Sequence, residues 1–322
     1  MPKRPAALPL ELSTSFTCAE ARATGVSARR LRAKDLEIPF RGVRSAAGEK
    51  EPLSREEPLR LDRAVRLRVL RLARAYELIM PPHAFFAGRT AAVIYGAPLA
   101  HGDELEVAVH APARPTRRRG VRCVKVSPHL ASVRELEGLR LSSPASTWAM
   151  LGATLTERQL VIVGDAFVRV ARDDRGIPTR AIATTEDLRR ATAAGPRPGV
   201  AHLRQALLHI RVGSSSPLET EYRLDAAAAG LPDAELDVEI HGADGRRIGI
   251  TEFVYRPFRV LVEIEGDHHR TSRAQWNRDI EKYAAYVAAG WEVVRLTSAH
   301  VRGGRAPAIV GAALRRHGWQ PS

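Results

Sequence analysis

Hydrophobic positions along this chain recur with two periods, and the period tells helix from strand. From Glu51 to Met80 the spacing is helical, with Leu59, Val65, Leu67, Leu70 and Leu72 set among arginines until Pro81-Pro82 ends the run. Ahead of it, residues 16–34 predict two short helices parted by Gly25, with Ser27 as N-cap of the second. Phe40-Arg41-Gly42-Val43-Arg44 predicts a strand, the wing of a small helix-turn-helix. Arg89–Gly96 predicts a short helix. Leu105–His110 alternates as a half-exposed strand, and Val121–Val126 is its expected partner across a basic turn, Pro115–Gly120. Helices are expected over Ser143–Met150, Thr156–Val170, Asp187–Ala193 and Val200–Ile210. Gly213-Ser214-Ser215-Ser216-Pro217 reads as a linker, and a domain boundary is expected there.

Beyond the linker the elements follow closely. Ser216 is a natural N-cap, Pro217 sits at N1, and Glu219 is placed to complete a capping box. That helix should run to about Ala229. Strands are expected at 235–241, Ile248–Tyr255 and Val260–Glu265, with a hairpin at Ala243–Arg246. A helix over Arg273–Ala289, a strand over Trp291–Leu296 and a closing helix at about 306–317 finish the chain. The order is α-β-β-β-α-β, so the third and fourth strands should be parallel.

Side-chain parity gives this third of the chain its candidate chemistry. Val260, Val262 and Ile264 share one face of their strand, and Leu261, Glu263 and Glu265 share the other. The two carboxylates are then about 7 Å apart. Glu252 lies in the stripe of Ile248, Ile250 and Val254, and a hairpin places it within a residue or two of Glu263. Such a carboxylate is costly unless it meets a cation or a donor. Three converging carboxylates repel strongly without a divalent metal, and Mg²⁺ takes one or two of them with waters and phosphate oxygens. The plainer reading is a solvent-facing edge with alternating glutamates, a capping Glu219 and a polar His268-His269 loop.

Composition changes the picture in two ways. The chain has 322 residues and a formal charge of +14, with 45 Arg and only 5 Lys. From Ser215 onward there are 14 basic and 15 acidic residues, so residues 1–214 carry a net +15. An excess of that size favours a polyanion, with nucleic acid as the first candidate, although Arg-rich and Ala-rich composition bias yields the same count. Arg29, Arg30, Arg32 and Arg41 are the candidate DNA contacts of the helix-turn-helix; an ordinary helical hairpin with solvated arginines is the alternative. The two cysteines, Cys18 and Cys123, show neither disulfide nor zinc spacing, which suits a reducing compartment. No secretory leader or membrane-spanning run is evident, and a cytoplasmic location is expected.

Family resemblance sharpens both halves. The helix-turn-helix outline, Arg41-Gly42-Val43, Arg89-Thr90-Ala91-Ala92 with Gly96, and Gly138–Pro144 resemble AbiEi-type antitoxin and regulator domains. That resemblance implies a winged helix-turn-helix at 1–50, an α/β domain at 51–212, and DNA contact. The motifs Ser216-Pro217-Leu218-Glu219, Glu252, Val262–His269, Trp276-Asn277-Arg278-Asp279 and Gly290–Thr297 resemble a family related to the very-short-patch-repair endonuclease, in the PD-(D/E)XK superfamily. The match covers about residues 215–320. It implies a restriction-endonuclease-like domain at 213–322 that hydrolyses DNA phosphodiesters with Mg²⁺ or Mn²⁺. On this resemblance Glu219, Glu252, Glu263, Glu265 and Asp279 are the acidic site residues. Glu252, Glu263 and Glu265 face the metal, and His268 or His269 falls near the histidines of the repair enzyme. Two departures stand out. Glu252 replaces the usual Asp, and Glu265 replaces the usual Lys.

The expectation is therefore an α/β multidomain protein that binds DNA through its basic N-terminal part and cuts it at the C-terminal domain. The rival is a non-enzymatic, antitoxin-like regulator that keeps a degenerate nuclease fold as an interaction module. An RNA-directed nuclease is weaker, since aromatic residues total 5% and are scattered. Membrane is not an expected partner. A homodimer is compatible with the pattern, and the pattern names no protein partner.

Overall fold

A computed structural model describes residues 5–46, 60–172, 178–265 and 273–321. Its contacts gather the chain into two units. Among the described residues, one holds 5–46, Arg60–Leu151 and Ala193–Pro196; the other holds those from Gly152 to Thr192 and from Arg197 onward. The Gly213–Pro217 linker thus lies inside the second unit. The architecture is mixed α/β in both.

The first unit opens with β1 (Ser15–Thr17), α1 (Cys18–Ala23), β2 (Leu36–Glu37) and β3 (Val43–Ala46), in a three-stranded sheet ordered β1-β3-β2. Thr17 caps α1 reciprocally with Glu20. Gly25, at φ +84°, lets Val26 N–H turn back to the Ala21 carbonyl at 2.9 Å. The second helix expected here is a single 3₁₀ turn, Arg30–Arg32. Ser27 Oγ does accept the Arg30 N–H at 3.2 Å. The turn stops because Ala33 leaves it in extended conformation, and Leu31 and Leu36 then both reach the small core with Phe16, Ala21 and Val26.

Next come α2 (Arg60–Glu77), β4 (Ala84–Phe86), α3 (Gly88–Ile94), β5 (Leu105–His110), β6 (Val121–Val126), β7 (Val133–Leu136), β8 (Leu139–Ser142) and α4 (Pro144–Leu151). The strands form one sheet in the order β6-β5-β4-β8-β7. The core is built from Val69, Tyr76, Phe86, Ile94, Leu105, Leu141 and Trp148, all nearly inaccessible to water. β6 pairs with β5 in parallel, so the basic segment between them carries the chain back to the starting edge instead of closing a hairpin.

The second unit begins with α5 (Glu157–Val168), α6 (Thr185–Ala193) and α7 (Val200–His209). It continues through α8 (Pro217–Ala228), β9 (Glu235–His241), β10 (Arg247–Tyr255), β11 (Val260–Glu265), α9 (Arg273–Ala288), β12 (Glu292–Thr297), α10 (Ser298–Arg302) and α11 (Ala306–Arg316). The sheet order is β12-β11-β10-β9, antiparallel except for the parallel pair β11/β12. One face carries Phe253, Tyr255, Val260, Val262 and Leu296 against Tyr222 of α8, Val301 of α10 and Val310 and Leu314 of α11. The other carries Val254 and Leu261 against Tyr286 of α9 and Trp291. Tyr222 and Tyr255 share a buried hydroxyl hydrogen bond of 2.8 Å.

α5 is fastened to α8 by a buried ion pair. Asp165 is 1% exposed. Its carboxylate accepts from Arg223 at 2.7 Å, Thr220 Oγ1 at 2.8 Å and the Arg211 N–H at 2.8 Å. Among the described residues no helix is long and apolar enough to cross a membrane.

Candidate functional site

The site lies where α8 starts and β10 and β11 run side by side. Ser216 accepts the Glu219 N–H at 3.2 Å and so caps α8. The reciprocal bond does not form as expected. Glu219 takes the N–H of Ser215, one residue earlier, at 2.6 Å, and no capping box results. Glu219 is 4% exposed, and burial raises its pKa to about 7 against the opposing pull of the Ser215 N–H, the Ser216 hydroxyl and Arg169.

Glu252 stands next in the cluster. The β10/β11 register pairs Phe253 with Val262 and Val254 with Leu261, which sets Glu252 opposite Glu263 one step further on. Glu252 accepts the Ile264 N–H at 2.6 Å. Burial, then repulsion from Glu219 and Glu263, raises its pKa to about 9. Glu263 is 8% exposed and also titrates above the ordinary range, because burial outweighs the ammonium of Lys282 beside it. Lys282 Nζ donates to Glu263 Oε1 at 3.0 Å and lies 5.0 Å from the ring centre of Tyr283.

The other expected residues fall around this group. Glu265 is bonded by Arg295, which is stacked 4.8 Å over Tyr283. Asp279, on α9, adds a weaker repulsion to Glu263. His268 and His269 lie outside the described residues. Structure thus brings Glu219, Glu252 and Glu263 together, gives Glu265 its own cation, and sets Asp279 at the rim.

Three residues near this corner escaped the pattern. Lys282 reads as part of a solvated Glu281-Lys282 pair, yet it is the one lysine after Lys125 in a chain that otherwise uses arginine. Asp237 alternates with Glu235 and Glu239 along β9. The pairs Thr251–Val238 and Phe253–Leu236 set it level with Glu252, and its backbone is left-handed at φ +50°. Burial raises its pKa, and Arg172 and Arg169 oppose the rise. Arg169 carried no signal at all in the sequence.

Among the described residues no group of three His, Cys, Asp or Glu side chains stands arranged to hold a metal ion. The donor chemistry of Glu252 and Glu263 nevertheless suits a hard divalent cation. Two buried carboxylates opposite one another, each driven toward protonation, are the arrangement that such a charge would relieve.

In the first unit, Arg30 is turned inward. It makes two bonds to Asp35, at 2.9 and 2.7 Å, and its side chain is 11% exposed. Arg29, Arg32 and Arg41 remain exposed, as do Arg114, Arg117 and Arg119 in the loop before β6.

Comparison with known proteins adds relatives without an assigned role. Two curated sequences match, "Uncharacterized protein MT2308" and "Uncharacterized protein Rv2248" of Mycobacterium tuberculosis strains CDC 1551 / Oshkosh and ATCC 25618 / H37Rv. Each is 27% identical over 244 residues, covering 76% of this chain and 84% of the relative. No family model matches the chain, and no solved structure matches it.

Proposed function

We propose that the second unit hydrolyses DNA phosphodiester bonds with a divalent metal, and that the basic first unit binds the duplex. One observation carries the reading. Glu219, Glu252 and Glu263, from three elements of an α-β-β-β-α-β unit, share one buried corner with a lysine. Burial of that many acids is costly for stability and is retained where chemistry uses it. Glu252 and Glu263 would hold Mg²⁺ or Mn²⁺. When bound, such an ion supplies charge against the scissile phosphate and acidifies a water. Beside its bond to Glu263, Lys282 would offer its remaining N–H donors to the phosphoryl oxygens, where negative charge builds during attack. Glu219 fixes the start of α8 and keeps the acid corner closed on that side. Glu265 and Arg295 form a neutral outer edge.

The three-stranded sheet and α1 of the first unit support a wing-like DNA-binding element in which Arg29, Arg32 and Arg41 meet phosphate. The same observations leave a second reading with support of its own. Lys282 and Arg295 already balance Glu263 and Glu265, which suits a regulator that keeps the fold as a binding module.

Plasmid nicking separates the two. Wild type with Mg²⁺ or Mn²⁺ should convert supercoiled plasmid to nicked or linear forms, and Glu263→Ala should not. Metal-independent DNA binding with no cleavage by wild type, on supercoiled, linear and mismatched substrates, would favour the regulator.

A further inference from the structure

A cavity of about 340 Å³ lies in the second unit, between the end of α7, the body of α8 and the loop that leads into β9. Ligand pockets run from roughly 300 to 1,000 Å³, so this one suits a ligand at the small end of the range. Much of its lining is aromatic and apolar. Tyr222 and Phe253, both nearly inaccessible to water, meet edge to face with ring centres 4.9 Å apart. Leu231, Pro232 and Leu236 extend the apolar wall. Gly213, at φ +111°, brings the linker close against β9 there, since a Cβ on it would stand 2.9 Å from that of Leu236. Glu219, Glu252 and Glu263 of the acid corner are not among the lining residues.

The charged part of the lining is mainly cationic, with His209, Arg211 and Arg223. Arg223 already meets Asp165 at 2.7 Å. Arg211 differs, because among the described residues its side chain meets no carboxylate. Its Nη1 donates to the carbonyls of Leu208 and Ile210, at 2.8 and 3.0 Å, and these bonds steady the guanidinium at the end of α7. Its Nε and Nη2 donors take no described acceptor. An open guanidinium edge beside an apolar wall is matched by a carboxylate carried on an apolar body. Asp233 is the one acid among the described lining residues, and it is exposed, where water screens its charge.

We propose that this cavity binds a small aromatic carboxylate, its ring packed against Tyr222, Phe253 and Leu231 and its carboxylate on the Nε–Nη2 edge of Arg211. Burial of the ring supplies most of the affinity, and the paired donors select the anion over a neutral analogue of the same shape. The inference goes beyond the nuclease reading and does not depend on it, since its test needs no cleavage.

The test is calorimetric titration of the full-length chain with indoleacetate, phenylacetate and hydroxybenzoate, with indoleacetamide and inorganic phosphate as controls. At least one of the three acids should bind saturably, one per chain, with a dissociation constant of about 1 mM or tighter. The same acid should raise the thermal midpoint. For indoleacetate, the amide should bind about tenfold more weakly, and phosphate at equal concentration should not displace the acid. Arg211→Gln should weaken the acid by about tenfold and leave the amide unchanged. Ala227→Phe, at an exposed lining position, should fill the cavity and abolish binding of acid and amide alike. Thermal midpoints of the unliganded variants check that both fold. Absence of saturable binding by all three acids overturns the proposal. Equal affinity for acid and amide, or an Arg211→Gln variant that binds as wild type does, overturns the role of the guanidinium. Displacement by phosphate reduces the site to a bare anion contact and overturns the aromatic part. Binding that survives Ala227→Phe in a folded variant places the ligand elsewhere and overturns the site.

Discussion

The carboxyl group of Glu252 ties stability to acidity in this protein. Its folded pKa is about 9, against about 4.5 for a free glutamate. The folded state therefore keeps a proton that the unfolded chain gives up. The stability that comes with that proton is complete below about pH 4.5 and is lost as pH rises through about 9. Glu219 acts with the same sign, and its share is lost by about pH 7. The metal-free thermal midpoint should thus fall between pH 5 and 9, and Glu252→Gln should flatten the fall. A slope unchanged by that substitution would mean that the corner does not hold the protons. Mg²⁺ should stabilise most at the alkaline end, where it displaces fewer protons. Lys282 is the counterpart. Its ammonium is a compact charge that a planar guanidinium does not reproduce. Lys282→Met should lower cleavage by about 10²-fold or more, and Lys282→Arg should not restore it. Equal rates for wild type and Lys282→Met would exclude it from the reaction.

Among the elements, α5 and α8 are joined by a group that neither sequence pattern nor hydrophobicity announces. Asp165 sits in an otherwise apolar run of α5, and only the fold shows it facing Arg223 and Thr220. Removing the acid alone leaves a guanidinium with little access to water. Asp165→Ala should cost about 3–5 kcal/mol in chemical denaturation, and the double change Asp165→Leu with Arg223→Met should cost much less. Ser216→Ala should cost about 1 kcal/mol through the lost cap of α8. The contrast between α8 and α5 shows what was legible. Ser216-Pro217 marked the start of α8, and alternation in β10 and β11 put Glu252 and Glu263 side by side, because half-buried strands impose a strict period. Short elements escaped. β4 is three fully buried residues, too few for any period, and β7 shows an exposed valine where alternation would be sought. The second N-terminal helix failed for another reason. Its residues have helical spacing, but the Arg30–Asp35 bonds and the burial of Leu36 draw the chain out of helix after one turn. Lys282 was hidden because a helix does not reveal from its own sequence which partner strand its lysine meets.

At the scale of the whole molecule the charge is unevenly shared. Residues 1–151 hold 26 basic and 15 acidic residues, and residues 152–322 hold 24 and 21. Duplex affinity should therefore depend mainly on the first unit and fall steeply with salt. Arg117→Gln with Arg119→Gln, both exposed, should weaken binding uniformly across sequences and reduce the salt slope by about 2. Sequence-dependent losses instead would move these arginines from phosphate to base edges. The bond between Asp165 and Arg223 also bears on how such a gene can be reassembled over time. A recombination joint at the Gly213–Pro217 linker looks safe on paper, since it falls between helices. It would nonetheless deliver α8 to a new host with its arginine and threonine turned toward a vanished acid. A joint near Gly152 carries donor and acceptor together. Lineages that inherit this C-terminal half should therefore inherit α5 with it, as a single heritable piece.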